Sequence, residues 1–425
     1  MPGHSEPDDE DEFLIEFENN EPPAADQLLA PSLFYGAEIE LELESELNYD
    51  LDEGDPDDLV TLEPFFKLAL AYIPSPRFDA VASFELAREF ALEEPAGEDG
   101  RPTRLELQEA YVTFRELTDG LALKLGRQSF DDEREWLYDE ELDAVRLFYG
   151  LGRWGLEASV SREELFDKDL LNDQDEDRIN NYFLLGRYMP DDDIIFEGYA
   201  FLRDDVNRDG GQPIFLGLRS FGEALSDVHH WVELAVVTGK AERNDDLGRH
   251  PDLLGYGFDV GATYVLDAPL EPSFTLGFAY GSGDSDLDDG TDHNFRQTGL
   301  QDNSDAFNGI ASFNYYGEVF DPELSNLSIL TAGLGIRPTQ RSSIDVVFHH
   351  YWQNKAVDEI RDSNLEEDPT GDSRDLGGAI DLVVGYEPLN NLAFDAIVGY
   401  FRPGDAFEEE ADGAYFVGFE TIFRF

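Results

Sequence analysis

The chain has 425 residues, and its 95 Asp plus Glu against 29 Lys plus Arg give a formal net charge of -66, which excludes nucleic acid as a partner because phosphates would be repelled. A content of 41% hydrophobic and 13% aromatic residues excludes a chain that stays unfolded. The absence of cysteine excludes a disulfide framework and a Cys-based zinc site, and there is no long apolar run to make a transmembrane helix.

Residues 1–32 are acidic and contain prolines, so they read as a flexible N-terminal tail ahead of a single unit at 33–425. The start, MPGHSEPDDEDEFLIEFENN, has neither a basic n-region nor an apolar h-region; if the protein is exported, the initiator Met stands where a signal peptide has been removed. From residue 33 onward the hydrophobic period is two. AEIELELESEL puts Ala37, Ile39, Leu41 and Leu43 on one face and Glu38, Glu40, Glu42, Glu44 and Glu46 on the other. VTLEPFFKLALAY, LALKLGRQ, DAVRLFYG, NYFLLGRY, DIIFEGYAFLRDD, WVELAVVTG, SFTLGFAY, SSIDVVFHHYWQ and LAFDAIVGYF follow the same rule and are strands.

Short connections (IPSPR, LTDG, GLGRWG, MPDDD, RPTQR, EPLNN) alternate with long acidic ones such as SREELFDKDLLNDQDEDRIN and QNKAVDEIRDSNLEEDPTGDSRD. That pattern predicts an all-β transmembrane antiparallel barrel in the outer membrane, with short periplasmic turns and long extracellular loops. Nineteen strand-like segments can be counted back from Phe425, and parity requires that FNGIASFNYYGEV belong to an outside loop, which leaves about eighteen wall strands. The last strand, AYFVGFETIFRF, then turns Tyr415, Val417, Phe419, Phe423 and Phe425 to lipid and Gly418, Glu420 and Arg424 to a wet lumen. A soluble sandwich or propeller is the competing reading, but no repeat of 20 to 50 residues supports the propeller.

Alternation aims Lys67, Lys124, Arg146, Arg187, Arg203 and Arg219 into the lumen, together with Glu157, Glu197, Glu233, Asp259, Asp345, Asp381, Asp395 and Glu420. Guanidinium forks suit carboxylates, so spaced arginines can form a ladder of exchangeable sites for an anionic chain; each can equally pair with a neighbouring acid and stiffen the wall. Asp205, Asn207 and Asp209 open a D-x-N-x-D-G sequence and are candidate calcium ligands in an extracellular loop, although Leu216 stands where a bidentate Glu would close an EF-hand. His229-His230 and His349-His350 are adjacent on strands, so each pair splits between two faces and shares no metal. No arrangement of catalytic residues stands out, and no cofactor is expected beyond that candidate calcium. With only five lysines and so large an acidic surplus, the surface reads as halophilic, made to stay hydrated in concentrated salt.

KLGRQSFDDEREWLYDEELDAVRL (124–147), FRQTGLQDNSDAFNGIASFNYYGEVFDPELSNLSILTAG (295–333), and VVFHHYWQ (346–353) with GYFRPGDAF (399–407) resemble the alginate-export outer-membrane barrel family. The resemblance runs from about Phe34 to the C-terminus. It implies an eighteen-stranded, porin-like channel that passes an alginate-like polyuronate outward from the periplasm, with a loop and a periplasmic turn limiting leakage. It also marks Arg127 of GRQ and Arg296 of FRQTG as constriction residues. Membrane lipid and lipopolysaccharide, an anionic polysaccharide and a periplasmic export scaffold are the candidate partners. A general porin for small solutes and a surface scaffold are the competing functions.

Overall fold

A computed structural model describes residues 24–52, 54, 58–93, 101–172, 178–191, 193–207, 210–243, 248–285 and 290–425. Eighteen long strands form the wall: β1 (Leu33–Leu47), β2 (Leu59–Ser75), β3 (Phe78–Ala87), β4 (Arg104–Thr118), β5 (Leu121–Asp131), β6 (Asp139–Leu151), β7 (Trp154–Arg162), β8 (Ile179–Tyr188) and β9 (Ile194–Asp205) make the first half. The second half is β10 (Gln212–Leu225), β11 (Val228–Lys240), β12 (Asp252–Val265), β13 (Ser273–Gly281), β14 (Leu327–Thr339), β15 (Ser342–Gln353), β16 (Asp375–Leu389), β17 (Leu392–Pro403) and β18 (Ala414–Arg424). Each strand pairs antiparallel with the next, and β18 pairs with β1 from Glu38↔Arg424 to Leu47↔Tyr415, which closes the barrel and removes the sheet edges.

The alternation seen in the sequence is the alternation of the wall. Phe66, Leu147, Leu218, Leu276, Leu334, Ile380 and Phe419 face outward and are exposed, as the lipid side of a barrel requires. Turns at 76–77, 119–120, 152–153, 226–227, 340–341 and 390–391 lie at the same end as Phe425, and the long loops lie at the other. Of β18, Tyr415, Val417, Phe419, Phe423 and Phe425 are outward and exposed, while Arg424 donates to Glu38 on the lumen side at 2.6 Å.

Two expectations need correction. The tail does not stay loose up to residue 32: Gln27–Ala30 pairs antiparallel with Leu33–Tyr35 of β1. The start of β1 extends past the end of β18, and this short hairpin occupies an edge that would otherwise be unpaired. Residues 1–23 lie outside the described residues. FNGIASFNYYGEV (307–319) is off the wall, as parity required, but it is not held outside the barrel. It runs down into the lumen as part of the β13–β14 loop (282–326), where Ser304–Asp305 and Phe313–Asn314 make a small ladder of their own.

Candidate functional site: a loop-filled lumen and an arginine cleft

The β13–β14 loop spans the lumen from rim to floor. At the long-loop end Phe295 lies over Gly257, and near the short-turn end the Ile310 N–H donates to Ser343 Oγ at 3.0 Å. The loop seats where wall glycines leave room for it. A Cβ on Gly255 would meet the backbone of Asn294 and Phe295, one on Gly281 the carbonyl of Leu324, and one on Gly385 the Ile310 side chain at 2.5 Å. Its aromatic residues supply the apolar filling: Phe307 stacks on Trp231 with centroids 5.7 Å apart, and Phe320 packs edge-on against Tyr351 at 4.7 Å.

The β5–β6 loop (132–138) folds inward as well and locks onto the first loop. Gln297 Nε2 donates to the Trp136 carbonyl at 3.2 Å, and Thr298 Oγ1 donates to the Leu137 carbonyl. At the centre is Asp259 of β12. It accepts from Arg134 (3.1 Å), Trp231 Nε1 (2.9 Å) and the Tyr316 hydroxyl (3.3 Å), which in turn accepts from Trp136 Nε1 (3.1 Å). Arg134 also pairs with Asp305 at 3.1 Å and is sandwiched between the rings of Trp231 and Tyr315, at 4.3 and 4.0 Å. Stripping one partner from such a buried pair costs about 3–5 kcal/mol, so Asp259 and Arg134 fix both loops to the wall.

The lumen cations read from alternation face inward, and Lys67, Arg146, Arg187, Arg203 and Arg219 are paired with acids. Arg146 is buried, donates to Glu157 and to the Ser129 carbonyl at 2.8 Å each, and lies 4.0 Å from the Phe130 ring. Arg187 and Arg219 share Glu197, and Arg219 also reaches Asp132 at 2.9 Å. Lys67 sits among Glu40 (2.6 Å), Glu38 (3.7 Å) and Glu85 (3.9 Å), and Lys124 lies 3.9 Å above the Tyr111 ring.

Arg127 does not face the channel. It forks onto Asp143 of β6 at 3.2 and 2.9 Å and donates to the Leu107 carbonyl at 3.3 Å and to the Phe166 carbonyl. It is three residues from Lys124, so it projects from the opposite face of β5. Arg127, Arg146 and Arg296 therefore do not form one constriction. Of the D-x-N-x-D-G sequence, Asp205 and Asn207 form a turn in which the Asn207 N–H donates to Asp205 Oδ1 at 2.9 Å, while Asp209 lies outside the described residues.

The cations gather instead at the outer mouth. Arg203 at the upper end of β9, Arg296 of the β13–β14 loop and Arg361 of the β15–β16 loop (354–374) line one cleft of about 360 Å³, with Glu242, Glu323 and Asp362 as its acids. The lining holds three guanidinium groups and three carboxylates, and Asp292 and Glu163 pair with two of the same arginines. Arg296 binds Glu242 and Asp292, and Arg361 binds Glu323 (2.7 Å) and Glu242 (3.4 Å). Burial would raise the Glu242 carboxyl, but Arg296 and Arg361 overcome it and hold the group down at about 2. Arg203, forked onto Glu163 at 3.0 Å, lies against Gly299, whose φ of +77 favours glycine. Gly299 also borders a second cleft of about 170 Å³ lined by Arg127, Lys168, Glu140, Glu141, Glu163 and Glu164.

Arg134, Trp136 and Arg361 were not singled out from sequence. The signal for the first two was a tryptophan inside the acidic run DDEREWLYDEEL, since a large aromatic in a hydrated loop implies that the loop folds onto something.

The alginate export family model matches residues 34–415. The chain belongs to the alginate export family. Among its relatives are the alginate production proteins AlgE of Pseudomonas aeruginosa, 26% identical over 77% of this chain and 76% of that one, and of Pseudomonas syringae pv. tomato, 24% identical over 74% and 75%. Solved barrels of similar fold include Pseudomonas aeruginosa OccK5 (TM-score 0.59, 11% identity, covering 92% of this chain and 97% of that one) and OprD (0.57, 15%, 92% and 95%). This member of the alginate export family is an outer-membrane channel with two of its loops folded into the lumen.

Proposed function

We propose that the barrel carries an anionic polysaccharide of the polyuronate class from the periplasm to the exterior, and that the cleft of Arg203, Arg296 and Arg361 receives its carboxylates at the outer mouth. The observation that carries this reading is the convergence of three guanidinium groups from separate segments on one cleft. Each is already held by a carboxylate, so a passing uronate exchanges with an acid in place and does not fill an empty charge. Exchange of that kind binds weakly enough to release, as transport requires. The carboxylates of β1, β2 and β18 line the opposite side of the lumen, with Glu42 directly across from both Glu63 and Glu420. Such a wall repels a polyuronate in dilute salt and is screened within about 3 Å at 1 M, which fits an acid surplus adapted to concentrated salt. A general porin fits less well, because the family match over residues 34–415 is to alginate export.

Planar-bilayer recording tests the reading. Oligouronate added to the outer side should block the wild-type current, and the R203A/R296A/R361A protein should lose that block. The expected loss is about tenfold or more in affinity per arginine, from about 1.5–3 kcal/mol for each charge-assisted hydrogen bond. Folding of the variant is checked by its heat-modifiable migration in gels. An unblocked wild-type current, or an unchanged block in the folded variant, would overturn it.

A further inference from the structure

β4 and β5 pair directly only from Ala110↔Arg127 toward the short-turn end. Above that point the neighbour of β4 is a stretch of the β7–β8 loop (163–178): the Leu107 N–H donates to the Lys168 carbonyl at 3.0 Å, and the Leu170 N–H donates to the Leu105 carbonyl at 2.8 Å. On its way there the loop crosses β6, where Asp143 accepts from the N–H groups of Leu165 (3.0 Å) and Phe166 (3.2 Å). Asp143 shares its strand face with Val145 and Leu147, both exposed on the outside of the barrel. Arg127, Gln128, Ser129 and Phe130 are consecutive and all buried, so both faces of upper β5 are covered. The segment crosses the outside of β6 at Leu165 and Phe166 and then joins the wall beside β4, where Asp169 bridges to Glu106.

The side chains of this segment divide by chemistry. Three of its charged groups turn to protein: Glu163 holds Arg203, Lys168 pairs with Glu141 at 2.6 Å, and Asp169 accepts from the N–H groups of Leu105 and Leu171; Asp167, between Phe166 and Lys168, is exposed. Its apolar groups turn away: Leu165, Phe166, Leu170 and Leu171 are 56%, 71%, 52% and 57% exposed. Four large apolar side chains left in water would forfeit about 1.5–3 kcal/mol each relative to burial. They continue an apolar surface already present on the outside of the wall, where Leu86 pairs across from Leu105, Phe84 from Leu107 and Val145 from Val160. Continuity with that band selects the same occupant, lipid acyl chains.

We propose that residues 163–172 are a lipid-embedded part of the barrel wall, with Leu165, Phe166, Leu170 and Leu171 seated among outer-leaflet acyl chains and their backbone closing the gap between β4 and β5. The chain has no cysteine, so single nitroxide labels can be placed cleanly. Labels at F166C and L170C, in protein reconstituted into phosphatidylcholine vesicles, are compared with L147C on the outward wall and E409C in the exposed β17–β18 loop (404–413). The expected result is collision with dissolved oxygen over a water-soluble nickel chelate in the same ratio as at 147. A ratio matching that at 409 places the segment in water and overturns the proposal. Exclusion of both colliders with spin–spin broadening between molecules assigns the patch to a second copy of the chain and overturns it as well.

Discussion

At the scale of single residues, the acids divide by what faces them. Asp259 and Glu197 are buried and surrounded by donors, whereas Glu135 of the β5–β6 loop is half-buried beside Asp139, Asp302 and Asp132. Burial, and then those neighbouring carboxylates, push the Glu135 carboxyl up to about 9. Asp321 of the β13–β14 loop is pushed up to about 7 by burial, then by Asp302 and Asp362. A carboxyl raised in the docked state binds more protons than it does once the loop is free. Its contribution to docking is therefore complete below the ordinary range near 4.5 and is lost as pH rises through the raised value. The two loops should loosen progressively between about pH 4.5 and 9, seen as increasing open-channel current in bilayers. Glu135→Gln, fixed in the neutral form, should flatten most of the rise above pH 8. An increase that is identical in wild type and variant would exclude Glu135 as its source.

At the scale of elements, the wall was legible and its filling was not. Strand alternation placed Lys67, Lys124, Arg146, Arg187, Arg203 and Arg219 on the lumen side, because a closed barrel leaves each strand only two faces. The same rule would have put Arg127 on the outer face, three positions from Lys124; the resemblance assigned it to a constriction instead, and Asp143 holds it in the wall. Parity removed FNGIASFNYYGEV from the wall, but nothing periodic in that segment says which way it folds. Its destination is written in the partner surface, in lumen-facing glycines such as Gly385 and Gly399 that a single-segment reading cannot connect to it. Gly385→Val tests this seat. Valine suits a strand, and the position has no left-handed φ, but its Cβ would come 2.5 Å from Ile310 Cγ1 and 3.0 Å from the Ala311 nitrogen. The variant should stay folded and conduct more than wild type. Gly186→Val, whose Cβ would meet only Leu156 at 3.5 Å among side chains, is the control and should conduct normally; equal conductance in both variants would mean that the loop is not held by this contact.

At the scale of the whole molecule, the charge of -66 acts on a body whose shape keeps like charges close. On the lumen side of β1, Glu38 and Glu40 share Lys67, but Glu42 faces Glu63 on one neighbour and Glu420 on the other, and like charges directly opposite across strands are destabilising. Closure of the barrel prevents these strands from moving apart. In 1 M salt the screening length is about 3 Å, shorter than the spacing of adjacent strands, and the repulsion is local; at 0.01 M it is about 30 Å and reaches across the lumen. Repulsion summed over the acid surplus then works against the compact state, while the buried pairs around Arg134 and Arg219 are screened little at any salt. The melting temperature, followed by loss of the heat-modifiable folded form, should therefore fall steadily as salt is lowered from 1 M to 0.01 M. The loops, whose ion pairs are buried, should stay docked until the wall itself gives way. A melting temperature that is level across this range would mean that lumen and loop carboxylates are neutralised by protons or pairing, and the expectation of a surface suited to concentrated salt would lose its physical basis.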